Sequence, residues 1–297
     1  MLLRSTQQAF VVHTPAKLNL FLEVLGKRLD GFHELETLMV SVGCYDTLRF
    51  EESDAITLSC HWAGAPRFSP GPLPTDDGNL VMRAARLLRE VSGASRGVRI
   101  TLAKRIPVAA GLAGGSSDCA ATLVGLNRFW KLGLSANELS ELASRLGSDV
   151  PFFLAPSAAA ICRGRGEIIE PVISPMRLHF VIAKPASGLS TADVFRQCRP
   201  AQLPRSVQPL VTALTAGRLA VAARHLHNSL QAPAEALNSD VVRLRRVFQK
   251  LPFAGHQMSG SGTSYFGICS QREQAVALAA RVRAAGSGLV LVASSQP

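Results

Sequence analysis

A run of small residues that leads directly into a helix-forming stretch constrains this chain more than any other feature. The run, residues 107–117, contains three glycines and two serines, and residues 118–126 follow it with helix-forming side chains. Glycine lets a backbone adopt positive φ and approach a ligand closely. The first N–H groups of a helix have no internal partners, and the helix dipole favours an anion there. The run therefore predicts a loop that binds a phosphate group.

A turn closed by a serine cap is the plainer interpretation of a short glycine pattern. This run is longer than a cap requires, and Ala109, Ala110 and Ala113 keep the stretch before Gly114 small. It lacks the lysine of a Walker A loop, and its glycines are not spaced as in the dinucleotide-binding fingerprint. The candidate phosphate-binding residues are Pro107, Val108, Ala109, Ala110, Gly111, Leu112, Ala113, Gly114, Gly115, Ser116 and Ser117.

The length and charge of the chain narrow the classes of protein to which it can belong. At 297 residues, 47% of them hydrophobic, it suits one large domain or two modest ones. The net charge of +11 is dispersed along the chain, which fits an anionic small molecule as well as it fits a nucleic acid. Only 6% of the residues are aromatic and no basic stripe carries interleaved aromatics, so we do not expect nucleic acid as a partner.

Cysteine usage and hydropathy predict a soluble, cytoplasmic protein. The six cysteines include no C-x-x-C pair, so reduced thiols are expected rather than disulfides or a zinc site. We expect no signal peptide and no membrane partner, because no apolar run reaches the ~18–20 residues of a membrane helix. No group of carboxylates is typical of a metal cage. A monomer and a homodimer are both compatible with the sequence.

Apolar periodicity predicts an α+β chain. Strands are expected at 18–25, 35–42, 47–50, 55–60, 98–102, 178–183, 265–269 and 289–293. Helices are expected from residue 79 onward, after the glycine-rich run, and at 135–146, 211–230, 241–251 and 274–284. Ser135 and Glu138 form a predicted capping box, and Gly147 ends the helix that they begin.

Two charged residues in apolar surroundings are candidates for chemistry. Asp149 is either the cap of a short helix that Pro151 begins or a catalytic acid. Lys17 lies on a predicted strand, on the face opposite Leu18 and Leu20, where a solvated lysine is the plainer interpretation. Brought together near a phosphate, the two would activate a hydroxyl, because the carboxylate accepts the proton and the ammonium offsets the developing charge.

Three separated segments resemble the signature motifs of the GHMP small-molecule kinase superfamily. They are Pro15–Leu20, Pro107–Ser117 and Met258–Gly262. Within that superfamily, Lys17–Leu20, Arg28–His33 and Gly147–Phe153 resemble the members that phosphorylate a cytidine-diphosphate sugar alcohol in isoprenoid precursor biosynthesis. Because the motifs run from residue 15 to residue 262, the resemblance covers nearly the whole chain.

The resemblance implies an α+β, two-domain GHMP kinase fold. The N-terminal domain, residues 1–165, would be ribosomal-protein-S5-like, and the C-terminal domain, residues 166–297, would be ferredoxin-like. The implied reaction is ATP-dependent phosphorylation of the 2-hydroxyl of the sugar alcohol, with Lys17 and Asp149 as the catalytic pair. ATP phosphates would lie on the glycine-rich run, with Mg²⁺ accompanying the ATP. The ATP base would lie near Asn79, for which a core or turn role is the alternative.

The resemblance also implies a set of substrate contacts. Asn19 would contact the substrate, and His33 would hydrogen-bond the cytosine edge. Phe32 would stack on that ring; tyrosine is common at this position, so this chain lacks its hydroxyl. Phe195 is the candidate for the second stacking face, and Thr191 is expected near the substrate phosphates. A core or turn role is the alternative for these last two residues.

Two other functions are compatible with the same features. One is a different GHMP kinase, of the homoserine or mevalonate type. The other is a non-enzymatic nucleotide-binding or RNA-binding protein that has kept the fold. The presence of both Lys17 and Asp149 argues against the non-enzymatic alternative.

Overall fold

The computed structural model describes residues 1–5, 9–63, 71–173 and 176–296. Its strands are β1 Leu2–Ser5, β2 Phe10–Lys27, β3 His33–Glu51, β4 Ile56–Trp62, β5 Val98–Lys104, β6 Ala159–Gly164, β7 Ile168–Val172, β8 His179–Lys184, β9 His227–Asn228, β10 Gly255–Met258, β11 Tyr265–Cys269 and β12 Leu289–Ser294. Its α-helices are α1 Leu80–Ser92, α2 Gly114–Phe129, α3 Ala136–Leu146, α4 Thr191–Gln197, α5 Gln208–Thr215, α6 Leu219–Ala222, α7 Gln231–Leu237, α8 Ser239–Gln249 and α9 Arg272–Ala284. Short 3₁₀ helices lie at Pro151–Leu154 and Ala223–His225. The predicted α+β class is confirmed.

The chain folds into two compact units whose segments alternate along the sequence. The first unit comprises Met1–Ala16, Cys44–Val108 and Ala113–Ala155. The second comprises Lys17–Gly43, Ala109–Leu112 and Pro156–Pro297. The division thus falls within β2 and β3. The domain boundary at residue 165, which follows chain order, stays a prediction.

The first unit contains a parallel strand–helix–strand arrangement. β4 pairs in parallel with β5 along its whole length, and α1 lies between them in sequence. β5 also pairs antiparallel with Thr47–Glu51 of β3. Helix α1 packs against β4 and α2. The side chain of Asn79 caps α1, and Gly93 ends it in the left-handed conformation.

Helices α2 and α3 complete this unit. Gly125 allows α2 to pack closely, since a Cβ there would lie 2.5 Å from the ring of Phe50. The predicted capping box of α3 is confirmed: the Ser135 side chain accepts from the Glu138 N–H, and the Glu138 carboxylate accepts from the Ser135 N–H. Gly147 is the residue after α3, as predicted. Local sequence therefore determines where α3 begins and ends.

The second unit contains a four-stranded antiparallel sheet in the order β10-β11-β8-β12. Helices lie between β8 and β10 and between β11 and β12, which is the βαββαβ order of a ferredoxin-like fold. Helix α8 packs on β10 and β11, and α9 packs on β8 and β12. The core between them includes Val181, Leu244, Phe248, Tyr265 and Leu278. The ferredoxin-like expectation is confirmed.

Two local predictions are wrong. Residues 33–51 form one strand of 19 residues, although alternation predicts two. Residues 35–40 pair with β6 and residues 47–51 pair with β5, and these two pairings keep the residues between them extended. The span 211–230 is not only helical, because it ends in strand β9, which pairs in parallel with Phe21 and Leu22. Tertiary pairing overrides helix propensity there.

Cysteine state and membrane-spanning segments were also predicted from the sequence. All six cysteines are free thiols, and four of them are buried. Cys119, next to the glycine-rich run, is fully buried, and burial raises its pKa to about 12. Within the described ranges, no helix is both long enough and apolar enough to cross a lipid bilayer.

Candidate active site

The glycine-rich run enters α2 without a side-chain cap. The cap residue, Ala113, has a left-handed backbone (φ 52°, ψ 34°), and no side chain in the described part of the chain caps it. Gly114, Gly115, Ser116 and Ser117 form the first turn, which contains no acidic residue. The interpretation as a serine cap is therefore wrong. A helix start of this kind is able to bind an anion through its N–H groups and its dipole.

Ser117 ties the first turn of α2 to strand β2. Its side chain is fully buried, and its hydroxyl donates to the carbonyl of Pro15 at 2.6 Å. The Thr14 hydroxyl donates to the Ser117 carbonyl at 3.1 Å and lies 2.5 Å from the Ser117 hydroxyl. The Ser117 side chain is therefore an anchor for the loop.

The middle of the run, residues 109–112, belongs to the second unit and is held by the third motif. Ser259 Oγ donates to the Gly111 carbonyl at 3.0 Å, and Ser264 N donates to the Ala110 carbonyl at 3.2 Å. Gly111 has φ 71°, and a Cβ at this position would lie 2.0 Å from the Ser259 carbonyl oxygen. Both the conformation and the space therefore require glycine.

A buried ionic group lies behind the start of α2. Lys104 Nζ donates to Asp118 Oδ2 at 2.7 Å and also to Asp46, and all three side chains are at most 4% exposed. A Cβ on Gly114 would lie 3.1 Å from Lys104 Nζ. Burial lowers the pKa of Lys104, but the charges of Asp118 and Asp46 more than offset this, so its pKa is raised. Burial raises the pKa of Asp118.

Sequence reasoning missed this group, although a signal was present. Lys104 is the last residue of β5, and strand alternation puts it on the same face as Val98, Ile100 and Leu102, all of which are buried. A charge on an apolar face requires a partner. The partner Asp46 is 58 residues away in sequence, so only the folded chain identifies it.

Lys17 is buried rather than solvated, so the plainer interpretation of it is wrong. Its side chain is 3% exposed, and its Nζ donates to Asn19 Oδ1 at 2.5 Å. Asn19 is 1% exposed and donates through Nδ2 to Thr37 Oγ1 at 2.8 Å. The two predicted site residues are thus in contact within the second unit. A buried ammonium is a candidate for a functional role, because burial of a charge is costly.

Asp149 lies in the first unit, in the turn that follows α3. Asp149 is half-buried, and Val150 N donates to the Gly147 carbonyl at 3.2 Å across that turn. The cap of the 3₁₀ helix that starts at Pro151 is Val150, and no described side chain caps it. Asp149 is therefore not the cap of this 3₁₀ helix, and its catalytic role stays a prediction.

Three of the predicted substrate residues are aromatic and belong to the second unit. The rings of His33 and Phe195 lie 5.1 Å apart at 32°. Phe32 is 49% exposed, and the guanidinium carbon of Arg165 lies 4.8 Å from its ring centroid. Burial and the charge of Lys27 lower the pKa of His33, so its imidazole is neutral at pH 7. A neutral imidazole can donate one hydrogen bond and accept another.

The remaining predicted residues have other partners. The Thr191 hydroxyl is 2.9 Å from that of Ser261, which belongs to the third motif. Asn79 caps α1 through Oδ1 and donates through Nδ2 to the Pro74 carbonyl at 2.8 Å. Its side chain therefore has the turn role that was the alternative.

Two family models match this chain. The GHMP kinases N terminal domain matches residues 79–156, and the GHMP kinases C terminal model matches residues 210–288. The chain belongs to the GHMP kinases, and it is accordingly an ATP-dependent phosphotransferase.

Curated relatives of this chain share the name of one kind of kinase. It is 40% identical over 284 residues to the 4-diphosphocytidyl-2-C-methyl-D-erythritol kinase of Pelotomaculum thermopropionicum, covering 95% of this chain and 96% of that protein. It is 39% identical to the protein of the same name from Shouchella clausii, covering 89% and 87%.

Solved structures are similar along the whole chain. A crystal structure of 4-(cytidine 5'-diphospho)-2C-methyl-D-erythritol kinase has a TM-score of 0.79 at 34% identity, covering 97% of this chain and 99% of that one. A homoserine kinase from Cytophaga hutchinsonii has a TM-score of 0.75 at 18% identity, covering 100% and 97%. At that identity the likeness concerns the fold alone.

Proposed function

We propose that this chain transfers the terminal phosphoryl group of ATP to the 2-hydroxyl of 4-diphosphocytidyl-2-C-methyl-D-erythritol, in the non-mevalonate route to isoprenoid precursors. The observation that carries the proposal is the 40% identity, over 95% of the chain, to a relative with that name. The homoserine and mevalonate kinases, at 18% and 14% identity, share the fold and carry no argument about the substrate.

Recognition of the cytosine ring falls to the aromatic residues of the second unit. Phe32 offers a half-exposed ring face, and Arg165 occupies the region over its ring. Phe195 packs beside His33 and offers a second stacking surface. The neutral His33 imidazole supplies a hydrogen bond to the polar edge of the base. These three side chains support a substrate that carries a pyrimidine.

The glycine-rich run, residues 107–117, binds the ATP phosphates. The uncapped start of α2 supports this role, because it offers N–H donors and a positive dipole end. Thr191 and Ser261 contribute a pair of hydroxyls for the substrate phosphates. Asn79, which caps α1, is assigned to the region of the ATP base.

The chemistry requires a base and a positive charge at the hydroxyl of the acceptor. Asp149 takes the proton of the 2-hydroxyl, and Lys17 offsets the negative charge on the attacking oxygen. Among the described residues, no group of three acidic, histidine or cysteine side chains could hold a metal. Mg²⁺ would enter with the nucleotide, where it would neutralise phosphate charge.

The proposal also concerns the cell compartment and the assembly. Six free cysteines support a reducing compartment such as the cytoplasm. The choice between a monomer and a homodimer stays a prediction that size-exclusion chromatography with light scattering will decide.

A coupled ADP-release assay tests the function. It compares ATP–Mg²⁺ with 4-diphosphocytidyl-2-C-methyl-D-erythritol against ATP–Mg²⁺ with the free sugar alcohol. We expect turnover with the cytidylated substrate alone and its loss in Asp149→Asn, with thermal unfolding unchanged. Comparable turnover of homoserine or mevalonate would overturn the substrate. A folded Asp149→Asn with most of its activity would overturn the assigned base.

A further inference from the structure

We propose that Thr37 is a positioning residue that sets which end of the Asn19 side-chain amide faces the Lys17 ammonium. The proposal rests on the proposed function, in which Lys17 and Asn19 act at the reacting hydroxyl. Thr37 lies on β3, is fully buried and belongs to none of the motifs that point to the reaction.

A continuous chain of hydrogen bonds links the three residues. Lys17 Nζ donates to Asn19 Oδ1 at 2.5 Å, and Asn19 Nδ2 donates to Thr37 Oγ1 at 2.8 Å. Thr37 Oγ1 in turn donates to the backbone carbonyl of Phe21 at 2.5 Å. Each of these three hydrogen bonds pairs a donor with an acceptor.

The single proton of the Thr37 hydroxyl gives the chain its direction. A backbone carbonyl can only accept, so the Thr37 proton goes to Phe21 and the Thr37 oxygen has to accept from Asn19. The amide NH₂ of Asn19 therefore faces Thr37, and its oxygen faces Lys17. With the amide turned over, its NH₂ would meet the ammonium, donor against donor, in a buried site.

The main chain of Asn19 is held independently of Thr37. Asn19 N donates to Ser259 Oγ at 3.3 Å, and Gln257 Nε2 donates to the Asn19 carbonyl at 2.8 Å. Gln257 also donates to the Leu20 carbonyl at 3.0 Å. With the backbone fixed, the remaining freedom of Asn19 is the orientation of its amide. Thr37 removes that freedom.

Placement of Lys17 follows from this orientation. When the Asn19 oxygen faces the ammonium, it holds Nζ in one position for the reacting hydroxyl. Small displacements of a catalytic group lower the rate of phosphoryl transfer strongly, because this reaction depends on positioning. Loss of Thr37 should therefore lower kcat and leave the KM for ATP unchanged.

The first test compares Thr37→Val, Thr37→Ser and Thr122→Val. Valine keeps the shape of threonine and removes its hydroxyl, whereas serine keeps the hydroxyl. Thr122 is a matched control, because it is also fully buried and its hydroxyl donates to a backbone carbonyl, that of Asp118. We expect kcat to fall about tenfold in Thr37→Val, with the KM for ATP within about twofold. Thr37→Ser and Thr122→Val should stay within about twofold of the wild type.

A double-mutant cycle separates positioning from general destabilisation. If Thr37 acts through Asn19, Thr37→Val will change kcat by less than about twofold in an Asn19→Ala background. An equal loss in both backgrounds would overturn the proposal. Full kcat in Thr37→Val would overturn it as well.

An NMR measurement without substrate tests the role of Thr37 independently of the proposed function. The side-chain amide signals of Asn19, in protein labelled with ¹⁵N at asparagine, should keep their shifts in Thr37→Ser and move in Thr37→Val. Unchanged signals in Thr37→Val would overturn the positioning role. Absence of turnover by the wild type would overturn the function and leave this measurement valid.

Discussion

Two helices of the first unit begin in opposite ways. At α3, the Ser135 hydroxyl accepts from the Glu138 N–H at 3.3 Å, and the Glu138 carboxylate accepts from the Ser135 N–H at 2.8 Å. At α2, the cap is Ala113, and among the described residues no side chain caps the helix. Helix α3 thus supplies its own negative charge at its positive end. Helix α2 has no such charge in its first turn, and an uncapped start of this kind is what a phosphate-binding loop requires.

The glycines that precede the two helices share a backbone conformation but differ in how closely other atoms surround them. Gly111 and Gly133 have nearly equal φ values, 71° and 72°. A Cβ on Gly133 would meet nothing within 4 Å, whereas one on Gly111 would lie 2.0 Å from the Ser259 carbonyl oxygen. The loop before α3 needs only a turn, but the run before α2 also needs close contact with the third motif.

The largest effect is expected from alanine at these two glycines. Gly111→Ala combines left-handed strain with overlap of a backbone oxygen, so we expect at least ~3 kcal/mol of destabilisation and loss of activity. Gly133→Ala has the strain alone and should cost about 1 kcal/mol with unchanged kcat. Urea unfolding and the ADP-release assay measure both. Equal losses in the two variants would contradict the comparison.

A charge at the start of α2 should give the next largest effect. Gly115 is exposed and a Cβ there touches only Leu80, at 3.8 Å, so Asp and Asn both fit. We expect Gly115→Asp to raise the KM for ATP about thirtyfold over Gly115→Asn, since one unit charge near a phosphate is worth about 2 kcal/mol.

Gly115→Asp should bind ATP more weakly than Gly115→Asn but should be the more stable of the two variants. A carboxylate in the first turn stabilises a helix by about 0.3–1 kcal/mol, so Gly115→Asp should unfold at a higher temperature than Gly115→Asn. An Asp variant that binds ATP as well as the Asn variant would mean that no phosphate lies at this helix start.

Removing the cap of α3 should have a smaller effect, on stability alone. Ser135→Ala leaves the Glu138 N–H without its acceptor and should lower the free energy of unfolding by about 1 kcal/mol. Because the start of α3 is filled by its own Glu138 and has no proposed ligand, kcat and the KM for ATP should not change. A shift in the KM for ATP beyond about twofold would show that the two helix starts are not independent.

The smallest expected effect is a pH dependence of the α3 cap. Hydrogen bonds from the side chain and backbone of Ser135 lower the pKa of Glu138 in the folded state. The contribution of this group is thus present above its unfolded pKa, about 4.3, and is lost as pH falls through the folded pKa. Between pH 6 and pH 3, Glu138→Gln should lose less thermal stability than the wild type. Identical losses would contradict the lowered pKa.

Local sequence predicted the features that short-range backbone chemistry controls. Ser135, Glu138 and Gly147 delimit α3 as expected, because capping involves residues three or four positions apart. The ferredoxin-like unit was implied by a family resemblance, and its strand order confirms it. The break predicted in β3 is wrong, because strand pairing outweighs the local preference of residues 43–46.

Sequence reasoning was less successful with buried polar residues. It singled out Lys17 and Asn19, yet its plainer interpretation of Lys17, as a solvated side chain, is wrong, because Lys17 is buried. It missed Lys104, Asp46 and Asp118, whose mutual contacts join separate elements. It also missed His227, whose Nε2 lies 3.1 Å from the buried carboxylate of Glu23, because the surrounding span was predicted as helix.

The sequence by itself determined the glycine-rich helix start, the cap of α3 and the residue types available for phosphoryl transfer. These depend on φ preferences and on groups a few residues apart. The tertiary structure alone decided that Thr37 meets Asn19 and that Lys104 meets Asp46. Such pairs depend on strand register and burial, which bring together side chains that are 18 or 58 residues apart. Burial makes each pair important for stability, because a buried polar group without a partner costs free energy.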